Sequence, residues 1–243
     1  MLIDAHCHLH EFKDSEIRDF IKDTVIAAVS DDLKSSRRTL QLAMENPNRV
    51  LAFIGIHPWE IGEAKPQEIE EVIKLAEHEH VAGIGEVGLD KKFVKETFNQ
   101  QLKIFTAFVK TAKEYDLPMN VHAPDAWRDV LDILRKHDVE RAIIHWYTGP
   151  LELLEEMEDM GYYITVNPAI TIQKKHREVV AEAPLSMILV ESDGPYNYRG
   201  LNLTPKLIPK TINEIAKLKE ITPKRVEAII ESNFKRFIRR AIK

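Results

Sequence analysis

Val25-Ile26-Ala27-Ala28-Val29 is an unbroken apolar run of strand length. A strand with one wet face alternates apolar and polar residues, so a run without alternation fits a parallel sheet that is covered on both faces. Working outward, residues 33–45 predict a helix that stops at Asn46-Pro47, and residues 50–56 predict the next buried strand. On the other side, residues 1–8 read as a first strand, and residues 15–22 as a short helix capped by Asp14 or Ser15. Strand and helix already alternate.

The alternation continues to the C-terminus. Helices are expected over residues 66–79, 94–115, 125–137, 151–160 and 173–182, and strands over 82–86, 118–122, 142–146, 162–166 and 187–191. The clearest periodicity is in 94–115, where Phe98, Leu102, Phe105, Val109 and Ala112 share a stripe. Gly161 is a natural helix stop. Two helices close the chain, over 205–217 and 223–241, the second with Val226, Ile230, Phe234, Phe237 and Ala241 on one face. Eight strands, each followed by a helical segment, and no linker rich in glycine, serine or proline predict one domain over residues 1–243. The expected fold class is α/β, a single (β/α)8 TIM barrel with an extra C-terminal helix. A doubly wound open sheet would alternate in the same way, but no dinucleotide glycine fingerprint supports it.

Composition bounds the function. The chain has 243 residues, 44% hydrophobic and 30% charged, with a formal net charge of -5. That balance argues against a protein that holds nucleic acid by a broad basic surface, although a local basic cleft remains compatible with it. No apolar run approaches the roughly 18 residues of a membrane span and no signal peptide is evident, so the expected location is cytoplasmic, with no membrane partner. The single cysteine, Cys7, has no intramolecular disulfide partner. Lying between His6 and His8, it is expected to point to the opposite face and pack in the core.

The ionisable residues fall in one kind of place. His6 and His8 end the first strand, Glu86 the fourth, His122 the fifth and His145 the sixth, while Asp193 follows the eighth. Active sites of barrel enzymes lie at the C-terminal ends of the strands, so six metal-type side chains converge on one mouth. Four imidazoles and two carboxylates exceed one tetrahedral site and match two divalent ions that share a carboxylate. Glu86 is the expected bridge, with His6, His8 and Asp193 on one ion and His122 and His145 on the other. A water shared by two such ions is acidified, and Asp193 is placed to take its proton, so Asp193 and Glu86 are the expected catalytic residues of a hydrolase. Imidazole and carboxylate donors suit zinc, manganese, iron or nickel better than calcium, with magnesium a further candidate.

At this point the sequence resembles the TatD family of metal-dependent hydrolases, whose characterised members include deoxyribonucleases, within the wider amidohydrolase-like barrels. The blocks that carry the resemblance are Asp4-Ala5-His6-Cys7-His8-Leu9, Gly55-Ile56-His57-Pro58, Gly85-Glu86-Val87-Gly88-Leu89-Asp90, Pro118-Met119-Asn120-Val121-His122, His145-Trp146-Tyr147-Thr148-Gly149, Glu191-Ser192-Asp193-Gly194-Pro195-Tyr196, and Asn233. The resemblance implies a barrel, divalent metals and phosphodiester hydrolysis, with DNA as substrate. Its metal ligands fall on His6, His8, Glu86, His122, His145 and Asp193.

The departures bear on substrate. The family usually has an aspartate where this chain has His10, an arginine where it has Pro124, and a tyrosine where it has Lys91. Lys91, Lys92, Lys174, Lys175 and Arg199 fall in expected loops on the same face and are candidates for a phosphate contact. His57 is a candidate substrate contact, and Trp146 and Tyr147 either stack on a base or wall the pocket. The expected function is therefore trimming of DNA by a two-metal phosphodiesterase. Hydrolysis of a small amide, lactone or phosphate ester is the alternative, and a non-catalytic barrel that binds nucleic acid or protein is a third.

Overall fold

Eight parallel strands pair in sequence order in the computed structural model, which describes residues 1–239. They are β1 (Leu2–Cys7), β2 (Thr24–Ala28), β3 (Val50–Ile54), β4 (Val81–Gly88), β5 (Met119–His122), β6 (Ala142–Ile144), β7 (Tyr163–Val166) and β8 (Ile188–Val190). The helices are α1 (Asp14–Phe20), α2 (Leu33–Glu45), α3 (Pro66–Leu75), α4 (Phe98–Glu114), α5 (Trp127–Lys136), α6 (Leu153–Asp159), α7 (Lys174–Glu182), α8 (Ile208–Leu218) and α9 (Pro223–Ile238). The fold is a TIM barrel with a C-terminal helix beyond the eighth unit. The run at residues 25–29 behaves as its composition demands: β2 pairs in parallel with β1 and β3 and is buried throughout.

Local chemistry fixes the ends. Asp32 caps α2 by accepting from the Ser35 N–H at 2.7 Å, which explains why that helix starts where expected. Thr222 and Pro223 open α9 in the same manner. Gly161, at φ 72°, lets the chain leave α6 in a conformation that L side chains resist. The expected helix over 94–115 opens with a tight 3-10 turn at Lys95–Thr97 before α4. Residues 205–217 likewise divide into a 3-10 turn at Pro205–Leu207 and α8. The expected stripe residue Ala241 lies outside the described residues. A short hairpin of β9 (Asn197–Tyr198) and β10 (Leu201–Asn202) was not anticipated, because two-residue strands carry no periodicity.

Two features position the mouth. The seam between the last and first strands is closed beyond β8, where the Asp193 N–H donates to His6 O at 3.0 Å and the His8 N–H to Gly194 O at 2.9 Å. The Asp4 carboxylate takes the Ser192 N–H at 2.8 Å across the same seam. At the other end, α9 forms a floor. Its Phe237 ring lies 6.0 Å from Phe53 of β3 and 5.9 Å from Tyr163 of β7, on opposite walls. Asn233, one of the motif residues, ties α9 to the start of β8 by donating to Leu185 O and Ile188 O, each at 2.8 Å.

Candidate active site

Glu86 is the centre of the mouth, and its two oxygens face different groups. Oε2 lies 3.3 Å from His6 Nε2 and 3.3 Å from His8 Nε2. Oε1 lies 2.8 Å from His122 Nδ1, 2.8 Å from His145 Nε2 and 3.3 Å from His57 Nε2. Asp193 joins the first group, with Oδ1 at 3.4 Å from His6 Nε2 and 3.6 Å from His8 Nε2. All six residues expected at the mouth are therefore brought together. The seam explains Asp193: the same backbone bonds that close the barrel set it beside β1.

The donor set fits a divalent cation. Among the described residues no lysine or arginine forms an ion pair with Glu86 or Asp193, and Glu86 Oε2 is buried without a hydrogen-bond donor. A buried carboxylate left in that state costs several kcal/mol unless a cation meets it. The trios His6–His8–Asp193, His6–Glu86–His145 and His57–Glu86–His122 each bring ligand atoms close enough to share one ion.

Without a cation, protons take the role. Burial opposes charge on His6, His8 and His145, but the neighbouring carboxylates prevail, raising the first two well above the usual histidine range and His145 to about 9. For Glu86, burial is likewise overcome, here by His145, His57 and His6, which hold its carboxyl well below the usual range.

Each of the four imidazoles turns its other nitrogen to an outer polar group, and for His6 that partner fixes the tautomer. Asn120 donates its amide N–H to Ala5 O at 2.8 Å, so its Oδ1 accepts the His6 Nδ1–H at 2.9 Å and the His6 Nε2 lone pair faces the site. Gly85 permits this: a Cβ there would stand 2.7 Å from Asn120 Cβ. His8 Nδ1 lies 3.0 Å from Asp31 Oδ1, and His122 Nε2 2.9 Å from Asp90 Oδ2. His145 Nδ1 faces Glu191 Oε2 at 3.7 Å. Such outer partners orient ligands and raise their basicity. Asp31 stands in none of the motif blocks and Glu191 stands in one without an assigned role, since their value depends on which strand ends meet them. His10 now has a place: its Nε2 lies 3.1 Å from the second oxygen of Asp31.

His57 differs from the four. Its Nδ1 accepts the Trp59 N–H at 3.1 Å, so the proton sits on Nε2, facing Glu86 Oε1. Burial pushes its pKa down and keeps it neutral. With its proton there, it faces the site as a hydrogen-bond donor.

The rim corrects one expectation. Tyr147 is fully buried with its hydroxyl donated to Pro150 O, because the chain turns at Trp146 (φ 40°) and sends the next side chain inward, so it neither stacks on a base nor walls the pocket. Lys91 pairs with Asp129 at 2.6 Å on the surface. Trp146 stays at the mouth, its indole N–H donated to Gln173 Oε1 at 2.9 Å and its ring 5.1 Å from Tyr198. Arg199, in the hairpin turn, lies 5.3 Å over the Tyr198 ring. Lys174 starts α7 and is 91% exposed, 3.6 Å from Glu178.

The sequence model of one family, described as TatD related DNase, matches residues 3–239. The chain belongs to the TatD family. Bacillus subtilis YabD, named a metal-dependent hydrolase, is 32% identical over 98% of this chain and 99% of its own. Escherichia coli YcfH, also named a metal-dependent hydrolase, is 28% identical over 97% of this chain and 94% of its own. Among solved structures, the TatD homologue YjjV of Escherichia coli superposes with a TM-score of 0.89 at 24% identity, covering 99% of this chain and 98% of that one. A TatD family hydrolase of Entamoeba histolytica gives 0.83 at 17% identity, covering 97% of each chain. This TatD protein is thus a metal-dependent hydrolase, and its His, Glu and Asp cluster could bind metal.

Proposed function

We propose that this TatD barrel hydrolyses phosphodiester bonds, trimming DNA strands with two divalent ions held at Glu86. One observation carries the reading: the two oxygens of Glu86 divide the imidazoles into His6 with His8, and His122 with His145. One carboxylate between two pairs of lone pairs is the arrangement that two ions sharing a bridge require. His6, His8 and Asp193 would hold one ion, His122 and His145 the other. Bound there, such ions would supply Lewis acidity, making a nearby water more acidic and drawing charge from a phosphoryl oxygen.

The chain's own residues do the rest. Asp193 is the more accessible of the two carboxylates, its side chain 9% exposed against 1% for Glu86. That accessibility makes Asp193 the carboxylate placed to take a proton from a water at the mouth. His57, with its proton on Nε2, donates to a non-bridging phosphate oxygen beside Glu86. Trp146 offers a ring to a base and Arg199 a guanidinium to the strand's phosphates at the rim. The family description, TatD related DNase, supports DNA over other diesters.

The test compares wild type with Asp193→Asn on end-labelled single-stranded DNA, duplex DNA, and a panel of small esters and amides. Metal-dependent shortening of DNA, lowered about 100-fold or more in the variant, is the expected result. Turnover confined to small esters, lactones or amides would sink the DNA reading while leaving a hydrolase.

A further inference from the structure

Two aromatic rings at the mouth have no part in the chemistry above and are unusually open to solvent: Phe93 is 59% exposed and Trp59 45%. They meet edge to face with centroids 5.7 Å apart. Trp59 also lies 5.3 Å from the His57 ring and 6.3 Å from the His122 ring, so the pair borders the Glu86 centre directly.

The pair is built in place. The Trp59 indole N–H donates to Asp90 Oδ2 at 2.8 Å. Asp90 Oδ1 accepts the N–H groups of Lys92 and Phe93 at 2.8 and 2.7 Å. The same Asp90 holds His122 Nε2 at 2.9 Å, so one carboxylate ties the Trp59 ring and the Phe93 backbone to the site. With the indole N–H engaged, what these two side chains offer outward is ring surface without a hydrogen-bonding group. The Lys92 ammonium stands 5.2 Å over the Phe93 ring and forms no ion pair among the described residues.

Flat rings beside a cation that has no carboxylate partner match a nucleobase and its adjoining phosphate. Stacking of this kind is tolerant of sequence, since every base has a π-face, and it needs a base free of its helical neighbours. The loops after β3 and β4 lie across the barrel mouth from the hairpin that follows β8, by the order of the strands. A strand whose phosphodiester sits at Glu86 would therefore meet a ring wall on each side, Trp146 with Tyr198 on one and Trp59 with Phe93 on the other.

We propose that Trp59 and Phe93 form a platform for one unpaired nucleobase flanking the scissile phosphate, Phe93 stacking on its face and Trp59 meeting its edge, with Lys92 meeting the phosphate beside that base. The proposal rests on the phosphodiesterase reading. It makes the platform the element that favours unpaired strands over duplex.

Phe93→Ala is the discriminating variant, because Phe93 touches Trp59 and Lys92 and none of the residues that surround Glu86. Steady-state cleavage of short single-stranded oligonucleotides, intact or with one abasic residue moved along the strand, is followed with bound metal counted in the same samples. The expected result is a KM raised roughly tenfold in Phe93→Ala, the effect of one lost stack, with kcat and metal content unchanged and with Phe93→Trp restoring KM. The abasic residue should raise the wild-type KM at one position, and there wild type and Phe93→Ala should coincide. If wild type cuts DNA and Phe93→Ala matches it on every strand, the platform falls and the phosphodiesterase stands. If wild type cuts small esters and no DNA, both fall together.

Discussion

His176 shows how a single buried group writes a pH dependence into the fold. It sits on α7, fully buried, with neither ring nitrogen in a hydrogen bond of ordinary geometry. Burial, opposed by the nearby Glu191 charge, lowers its pKa from 6.5 to about 4. The unfolded chain therefore binds this proton more readily than the folded one. The stability tied to the neutral ring is complete above about pH 6.5 and is lost as pH falls towards 4. Between pH 7 and 5 the loss amounts to about 2 kcal/mol. Urea unfolding at the two pH values should show that loss in wild type and a smaller one in His176→Leu; equal losses would mean that other groups govern the acid limb. Residues such as this one explain part of what the sequence conceals. His6, His8, His122 and His145 were legible because each stands at a strand end, whereas Asp31 and Glu191 gain their meaning only from a ring nitrogen presented by another strand.

The loop after β4 is the element that joins fold to chemistry. Asp90 receives the His122 ring, the Trp59 indole and two backbone N–H groups, and these hydrogen bonds overcome burial to hold its carboxyl well below the usual range. Gln101 of α4 holds the Asp90 backbone from below, its Oε1 accepting the Asp90 N–H at 2.7 Å. Asp90→Asn keeps the shape and removes the charge that orients His122. Metal retention, measured by competition with a chelator, should weaken about 10- to 100-fold, with the circular dichroism spectrum unchanged. Retention equal to wild type would show that His122 is positioned without Asp90. The strands and helices were legible because their apolar periods are long and their caps local. The rim was less so. The sequence placed Tyr147 at the pocket because it follows His145, but β6 ends at Ile144 and the turn at Trp146 buries the next side chain. Trp59 and Phe93 carry no period at all, and only their shared anchor on Asp90 gives them a place.

At the scale of the whole molecule, the barrel seam and the site are one construction. The bonds that close β8 onto β1 deliver Asp193 to His6 and His8, so an ion bound there fastens the first and last strands. Ions that bind only the folded state stabilise it by mass action, by about 3 kcal/mol at a hundredfold excess over Kd. For a chain of this length that corresponds to a Tm higher by roughly 5–12 °C. Chelator should lower Tm by that order, in a single calorimetric transition if residues 1–243 form one domain; an unchanged Tm would place metal away from the seam. Among the described residues no helix is long and apolar enough to cross a membrane. The eightfold alternation made the barrel legible, since buried parallel strands and their crossover helices are both written in apolar pattern, while the substrate is written in rim side chains whose directions the pattern does not fix. The most direct measurement is a titration of metal-stripped protein with manganese or zinc, counting bound ions while following cleavage of end-labelled single-stranded DNA. Two bound ions per chain, with cleavage rising as the second is taken up, is the predicted result. Full cleavage with one ion bound, or cleavage undiminished by chelator, would overturn the shared-carboxylate mechanism.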